Sequence, residues 1–169
     1  WRLDSIQASA INTPIPVVEE PVVEEPEPAV IAGDLIMTET SPSVYLVGAD
    51  GKRHAFPNDT IFSSWDYSFD DVETVDSDAM AAYTLGGNVT VKPGSYLVKI
   101  QSDPKVYAVA PDAELRWVID EATAVDIYGS AWAGTVIDID VAFWKNYTVG
   151  ENIDEQSDTE GWVIAEDRY

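Results

Sequence analysis

The sequence predicts an α+β fold: two tandem pseudo-repeats of β-hairpins, short strands and short helices, preceded by an extended Pro/Glu-rich N-terminal arm. Three observations predict it. The run Leu35-Ile36, Val44-Tyr45-Leu46-Val47 and Leu85-Gly86-Gly87-Asn88 returns about 62 to 64 positions later as Leu97-Val98, Val106-Tyr107-Ala108-Val109 and Val149-Gly150-Glu151-Asn152. Short apolar runs bounded by turn residues mark strands in both copies, and the segments between them carry helix-capping residues. In front of both copies, five prolines fall between positions 14 and 28 with glutamates among them, which forbids a helix and favours polyproline-like backbone. The chain thus divides into an arm (1–30), a first repeat (31–93), a second repeat (94–153) and a C-terminal acidic segment with a strand (154–169).

Within the arm, the apolar tip (Trp1, Leu3, Ile6, Ile11) fits a strand or a helix equally over so short a stretch. Ile15 follows, and then Val-Val-Glu-Glu-Pro occurs twice, carrying Val17 and Val18 and then Val22 and Val23. At ~3.1 Å per residue such a linker reaches on the order of 60 Å over twenty residues. The first repeat opens with a strand at 29–37 and a second at 44–47, and Asp50-Gly51 signals a hairpin turn into a strand at 53–56. Pro57-Asn58-Asp59 starts a helix reaching Trp65, Asp76 or Ser77 caps another over 77–83, and Leu85-Gly86-Gly87-Asn88 reads as a closing loop. The second repeat follows the same plan, with strands at 95–100, 105–110 and 114–119 and helices at about 120–128 and 140–145. Its hairpin turn, 110–114, reads as one residue longer than the first, and Gly161 to Glu166 reads as a last strand.

Bulk composition narrows the function. With 46% apolar and 11% aromatic residues there is material for a real core. The net charge of −22 argues against nucleic acid and anionic membrane surfaces as partners, since both would be repelled. No apolar run approaches the ~20 residues of a membrane-spanning helix. Cysteine is absent, which excludes disulfides, thiol catalysis and Cys-ligated zinc.

Across the copies, Tyr45 aligns with Tyr107, Arg53 with Arg116 and Trp65 with Tyr128. These read as repeat-equivalent structural residues. An arginine in such a place stacks on a neighbouring aromatic and bonds helix-end carbonyls or a carboxylate, the functional alternative being a site that reads a carboxylate or sugar hydroxyls. The run from Val44 to Asn58, together with 85–90, 103–109, 115–118 and 146–150, resembles an uncharacterised tandem-repeat domain of secreted and surface proteins from candidate-phylum (Patescibacteria-like) bacteria. That resemblance spans about 33–153 and implies an exported, repeat-built protein of the cell surface. It carries no catalytic residues across.

Direct signs of chemistry are few. His54 is the only histidine, which removes histidine triads and multi-histidine metal sites. Calcium is the one cofactor that the acidic clusters at 70–71, 76–78 and 138–140 raise, but Asp76 and Asp140 also stand where helix caps belong, and no cofactor is expected. Three N-glycosylation sequons, at Asn58, Asn88 and Asn146, are present, with Asn88 expected in an exposed loop. No enzymatic role is expected. The sequence reads as a structural subunit of an extracellular filament, pilus-like fibre or surface array, whose arm docks on another copy by strand addition. The alternative is a cell-wall or glycan-binding surface module with the arm as a spacer.

Overall fold

The repeat in sequence is a repeat in topology. The computed structural model describes residues 30–153; the arm residues before Val30 and the strand expected at 161–166 lie outside them. In the first unit, β1 (Leu35–Thr38), β2 (Ser41–Val47) and β3 (Lys52–Ala55) form an antiparallel meander. Helix α1 (Asp59–Ser64) leads to β4 (Val72–Val75), which pairs parallel to β1. Helix α2 (Ser77–Ala82) then leads to β5 (Thr84–Asn88), parallel to β3. The second unit repeats every step with β6 (Leu97–Lys99), β7 (Tyr107–Ala110), β8 (Glu114–Trp117), α3 (Glu121–Tyr128), β9 (Val136–Asp138), α4 (Val141–Trp144) and β10 (Thr148–Val149). The two five-stranded sheets have the same order, β4-β1-β2-β3-β5 and β9-β6-β7-β8-β10.

Each helix starts where the sequence places an Asn or Asp. Asn58 accepts from the Ile61 N–H, Asp76 from those of Asp78 and Ala79, Asp120 from that of Thr123 and Asp140 from that of Ala142, each at 2.8 or 2.9 Å. Such caps satisfy amides that the first helical turn leaves open. They matter here because helices of four to eight residues have little stability of their own.

Strand register corrects two expectations. Leu35 lies opposite Leu46 and Val72, and Leu97 lies opposite Ala108 and Val136, so the meanders superpose at a spacing of 62 residues. The hairpin turns are therefore equal in length, and the turn of the second unit is not the longer one. The added residues lie further on, where α3 runs two residues longer than α1 (Glu121–Tyr128 against Asp59–Ser64). Arg53 and Arg116 are not counterparts either. Arg53 pairs with Val47 as Leu115 pairs with Val109, whereas Arg116 lies opposite Ala108 as His54 lies opposite Leu46. Since a shift of one residue turns a side chain to the other face, matching the two arginines by type puts them on opposite sides of their sheets. Tyr45 and Tyr107 do correspond, each opposite its β1 or β6 partner. The turns are equal in length but not in backbone shape: the first has one left-handed residue, Gly51 (φ +73°), whereas the second has two, Asp112 (φ +60°) and Ala113 (φ +52°), the latter with its methyl fully buried. Burial of that methyl offsets part of the ~1–2 kcal/mol cost of a left-handed alanine.

Residues 84–88 form β5 and not the expected loop. The glycines belong there for a packing reason. A Cβ on Gly86 would stand 2.6 Å from the buried His54 ring, so the strand approaches β3 more closely than any side chain permits. Gly150 sits likewise on β10's end, but against the flexible Glu114 side chain. Asn88 is consequently half-buried at the end of a strand, beside Ala55.

Three apolar clusters result, and their membership orders the layers. Ile36, Val47, Met80, Tyr83 and Val30 gather on the α2 side of the first sheet. Leu97, Ala108, Val118, Ala124 and Ile153 gather on the α3 side of the second. Between them lies one shared cluster, joining Leu35, Leu46, Ile61 and Phe62 from the α1 side of the first unit to Val98, Tyr107, Val109 and Leu115 from the α4 side of the second. The connecting segment threads this cluster, with Val89 and Val91 wholly buried. It is pinned from both units: Trp65 Nε1 donates to the Thr90 carbonyl (2.8 Å), the Val91 N–H donates to Tyr147 Oη (3.1 Å) and the Lys92 N–H donates to Ser64 Oγ (3.1 Å).

Two outcomes follow for stability. Leu115→Ala should cost about 2–5 kcal/mol and should leave a single urea transition, because the cavity it opens lies in a cluster common to both units; two separated transitions in the parent chain would contradict a shared core. Gly86→Ala should destabilise by about 1–3 kcal/mol while Gly150→Ala stays near neutral, since only the first meets a ring that cannot swing away.

Candidate functional site

The residues singled out as repeat-equivalent are committed to structure. Arg53 lies over the Tyr45 ring (5.4 Å) and donates through Nη1 to the carbonyls of Met80 and Tyr83, the latter at 2.6 Å, closing the C-terminal end of α2. Arg116 donates to the carbonyls of Glu151 (3.1 Å) and Asn152 (3.3 Å) just past β10. Trp65 and Tyr107 are buried in the shared cluster, and burial, assisted by Asp103, pushes the Tyr107 hydroxyl up. Tyr128 packs on the outer α3 cluster, and burial holds its hydroxyl at about 12. The arm residues Trp1, Leu3, Ile6, Ile11, Ile15, Val17, Val18, Val22 and Val23 lie outside the described residues. Of the sequon asparagines, Asn58 is exposed but caps α1, and Asn146, like Asn88, is half-buried. Among the described residues no cluster of three or more acidic or histidine side chains is placed to hold a metal ion, and Asp76 and Asp140 of the acidic clusters serve as caps.

What the sequence reading did not find is a pair of equivalent clefts. Each lies where the second meander strand begins, the third ends and the following helix starts. In the first unit Pro42, Val44, Phe56, Asn58 and Phe62 line a cleft of about 310 Å³. In the second, Pro104, Val106, Val118, Asp120 and Ala124 line one of about 260 Å³. These residues correspond one for one at the 62-residue register. A ring from the turn after the helix completes each wall: Phe69, 62% exposed and stacked on Phe62 at 4.7 Å, and Trp132. A signal for the pair existed in the repeated Pro-x-Val motif at 42–44 and 104–106, but burial of a strand start is invisible without the partner helix.

The clefts share geometry and differ in chemistry. The large Phe62 of the first is Ala124 in the second, but Trp117 replaces the small Ala55 beside it, and the second cleft is the smaller of the two. Ser43 of the first is Lys105 in the second, whose ammonium lies 4.4 Å above the Trp117 ring. Asp120 on that rim is held below the usual carboxylate range chiefly by the Thr123 N–H it accepts from. Both volumes sit at or below the lower end of small-molecule sites, which run to roughly 300–1,000 Å³. They suit two or three apolar side chains with a charged neighbour. The chain matches no protein-family model, no curated protein and no solved structure.

Elsewhere on the surface, the edge strands β5 and β10 expose equivalent apolar residues, Leu85 at 61% and Val149 at 63%. His54, on the strand next to β5, has its Nε2 3.1 Å from Asp50 Oδ1, and Lys52 Nζ lies 2.9 Å from the other oxygen. These two neighbours, His54 first, hold the Asp50 carboxyl well below the usual carboxylate range. A carboxyl group so held contributes stability that is complete above about pH 4 and fades as the pH falls further, since the unfolded chain takes up the proton first. The urea midpoint of the parent should therefore exceed that of Asp50→Asn at neutral pH, with the gap closing in acid. A gap unchanged down to about pH 2 would count against the ion pair.

Proposed function

We propose that the chain is a structural subunit of an extracellular filament, pilus-like fibre or surface array, assembled by docking of the N-terminal arm on a neighbouring copy. One observation carries this reading: the two units pack through unlike faces, the α1 side of one against the α4 side of the next. Such a contact is heterologous: repeated between copies it gives an open filament, or a ring where the rotation closes. It leaves an α2-type face at one end of the molecule and an α3-type face at the other, the same pair of face types that meet inside. The exposed edges of β5 and β10 add sites where an extended segment can extend a sheet, with Leu85 and Val149 offering apolar contact to an arm rich in valine.

Charge sets the conditions. Copies bearing −22 repel one another at long range, so assembly should strengthen as salt or divalent cations screen that repulsion. Sedimentation velocity of the full chain at rising salt should reveal growing oligomers. A chain lacking residues 1–29, which keeps Val30 and the hydrogen bond from Tyr83 Oη to its carbonyl (2.7 Å), should stay monomeric. Assembly of the truncated chain would overturn the role of the arm.

The aromatic-walled clefts favour one other reading, a glycan-binding surface module. It predicts saturable binding of soluble cell-wall oligosaccharides that Phe69→Ala or Trp132→Ala weakens, and assembly that is indifferent to the arm.

A further inference from the structure

We infer that the cleft beside Lys105 and Trp117 is a socket for a Val-Val-Glu-Glu-Pro motif from the arm of a second copy, an inference that rests on the assembly reading above and says where the arm goes.

The cleft and the motif match group by group. Val106, Val118 and Ala124 supply an apolar floor, and Trp117 and Trp132 supply ring faces. Proline in polyproline backbone packs on aromatic faces and brings little entropy to lose on binding, and two valines fill the floor. Lys105 supplies the charge. It is exposed, rests on the Trp117 ring and joins none of the ion pairs formed among the described residues. Among the described residues Lys105 and Lys145 are the lysines in no ion pair, and of the two only Lys105 lines one of the paired clefts. The glutamates of the motif are the acidic groups that would meet it. The sister cleft serves as an internal control: both clefts carry an acidic residue on the rim, Asp59 in one and Asp120 in the other, but the first has Ser43 in place of the lysine and so offers the motif's glutamates no cation.

Geometry selects the copy. The arm leaves the body at Val30, on the α2 side of the first sheet. The motif at 22–26 ends four residues earlier, a reach of at most ~14 Å. Within one chain, both sheets and the shared cluster stand between Val30 and the socket, at least two layer spacings of ~10 Å each, so the motif at 22–26 cannot reach its own socket. Only the motif at 17–21, nine residues from Val30, has the length to do so. A neighbour placed by the heterologous contact brings its α2 side, and the root of its own arm, against the α3 side where the socket opens.

A charge swap in the full-length chain tests this. One variant carries Lys105→Glu. The other carries Glu19→Lys, Glu20→Lys, Glu24→Lys and Glu25→Lys. Each alone should self-associate about tenfold or more weakly than the parent by sedimentation velocity, with unchanged circular dichroism, because each sets like charges together. The arm variant should weaken even though its net charge moves toward neutrality, against the general electrostatic trend. An equimolar mixture should recover the parent's association, since each socket then meets an arm of opposite charge. Variants that associate like the parent, or a mixture that stays dissociated, overturn the socket. If deletion of 1–29 abolishes assembly while the swap does nothing, arm-driven assembly stands and the socket alone falls. A parent chain that is monomeric under all salt conditions overturns both.

Discussion

The structure depends on a single constraint: each sheet has two apolar faces, and neither unit has enough helix to cover both. A mixed sheet with parallel edge strands needs cover on each side. Here the covering helices run four to eight residues, and a six-residue helix shields only part of a five-stranded sheet. The shortfall is met by the other unit. Leu35 and Leu46 join one cluster with Tyr107 and Leu115 of the other unit, and the connecting valines belong to it too. Capping, hairpin shape and glycine placement then serve to bring the second sheet into position against the first. The hydrogen bonds to 90–92 make the connection part of the core and not a tether.

Duplication has also let the two copies diverge without loss of fold. Backbone geometry is held in common by hairpins of equal length, equal strand order and equivalent caps. Side chains that do not support that geometry are free to differ. At the clefts one copy is walled by Phe62 beside Ser43, while the other has Ala124 in its place and carries Trp117 and the cation Lys105. Even turns of equal length differ, one using a single left-handed glycine and the other the left-handed pair Asp112 and Ala113.

Much of this was legible in the sequence, for local reasons. The meander strands, the four helices among the described residues and the caps at Asn58, Asp76 and Asp140 follow from local runs such as Val44 to Val47, whose signals lie within a few residues. Asp120, by contrast, reads as the first helical residue and is in fact the cap. The parallel edge strands were not legible. Val72–Val75 and Thr84–Asn88 are short, and their partners lie more than thirty residues away, so nothing local distinguishes them from loop. Gly86-Gly87 actively misleads, since the glycine that admits the His54 ring is the residue that elsewhere marks a turn. Register is hidden for a related reason: Arg53 and Arg116 match in residue type, while the one-residue phase that decides which face each serves is set by strand pairing. The clefts needed the register before they could be recognised as a pair.

The unlike ends left by the internal packing have a kinetic meaning. One end presents α2 and Val30, the other α3 and Trp132. A chain of molecules joined by repeating that contact is a vector, with two tips that differ in surface, charge and arrival rate. Growth at one tip then need not match growth at the other, and a ligand that blocks one tip leaves the other active. On the assembly proposed above, elongation would be directional, because the two faces of a single duplicated unit differ.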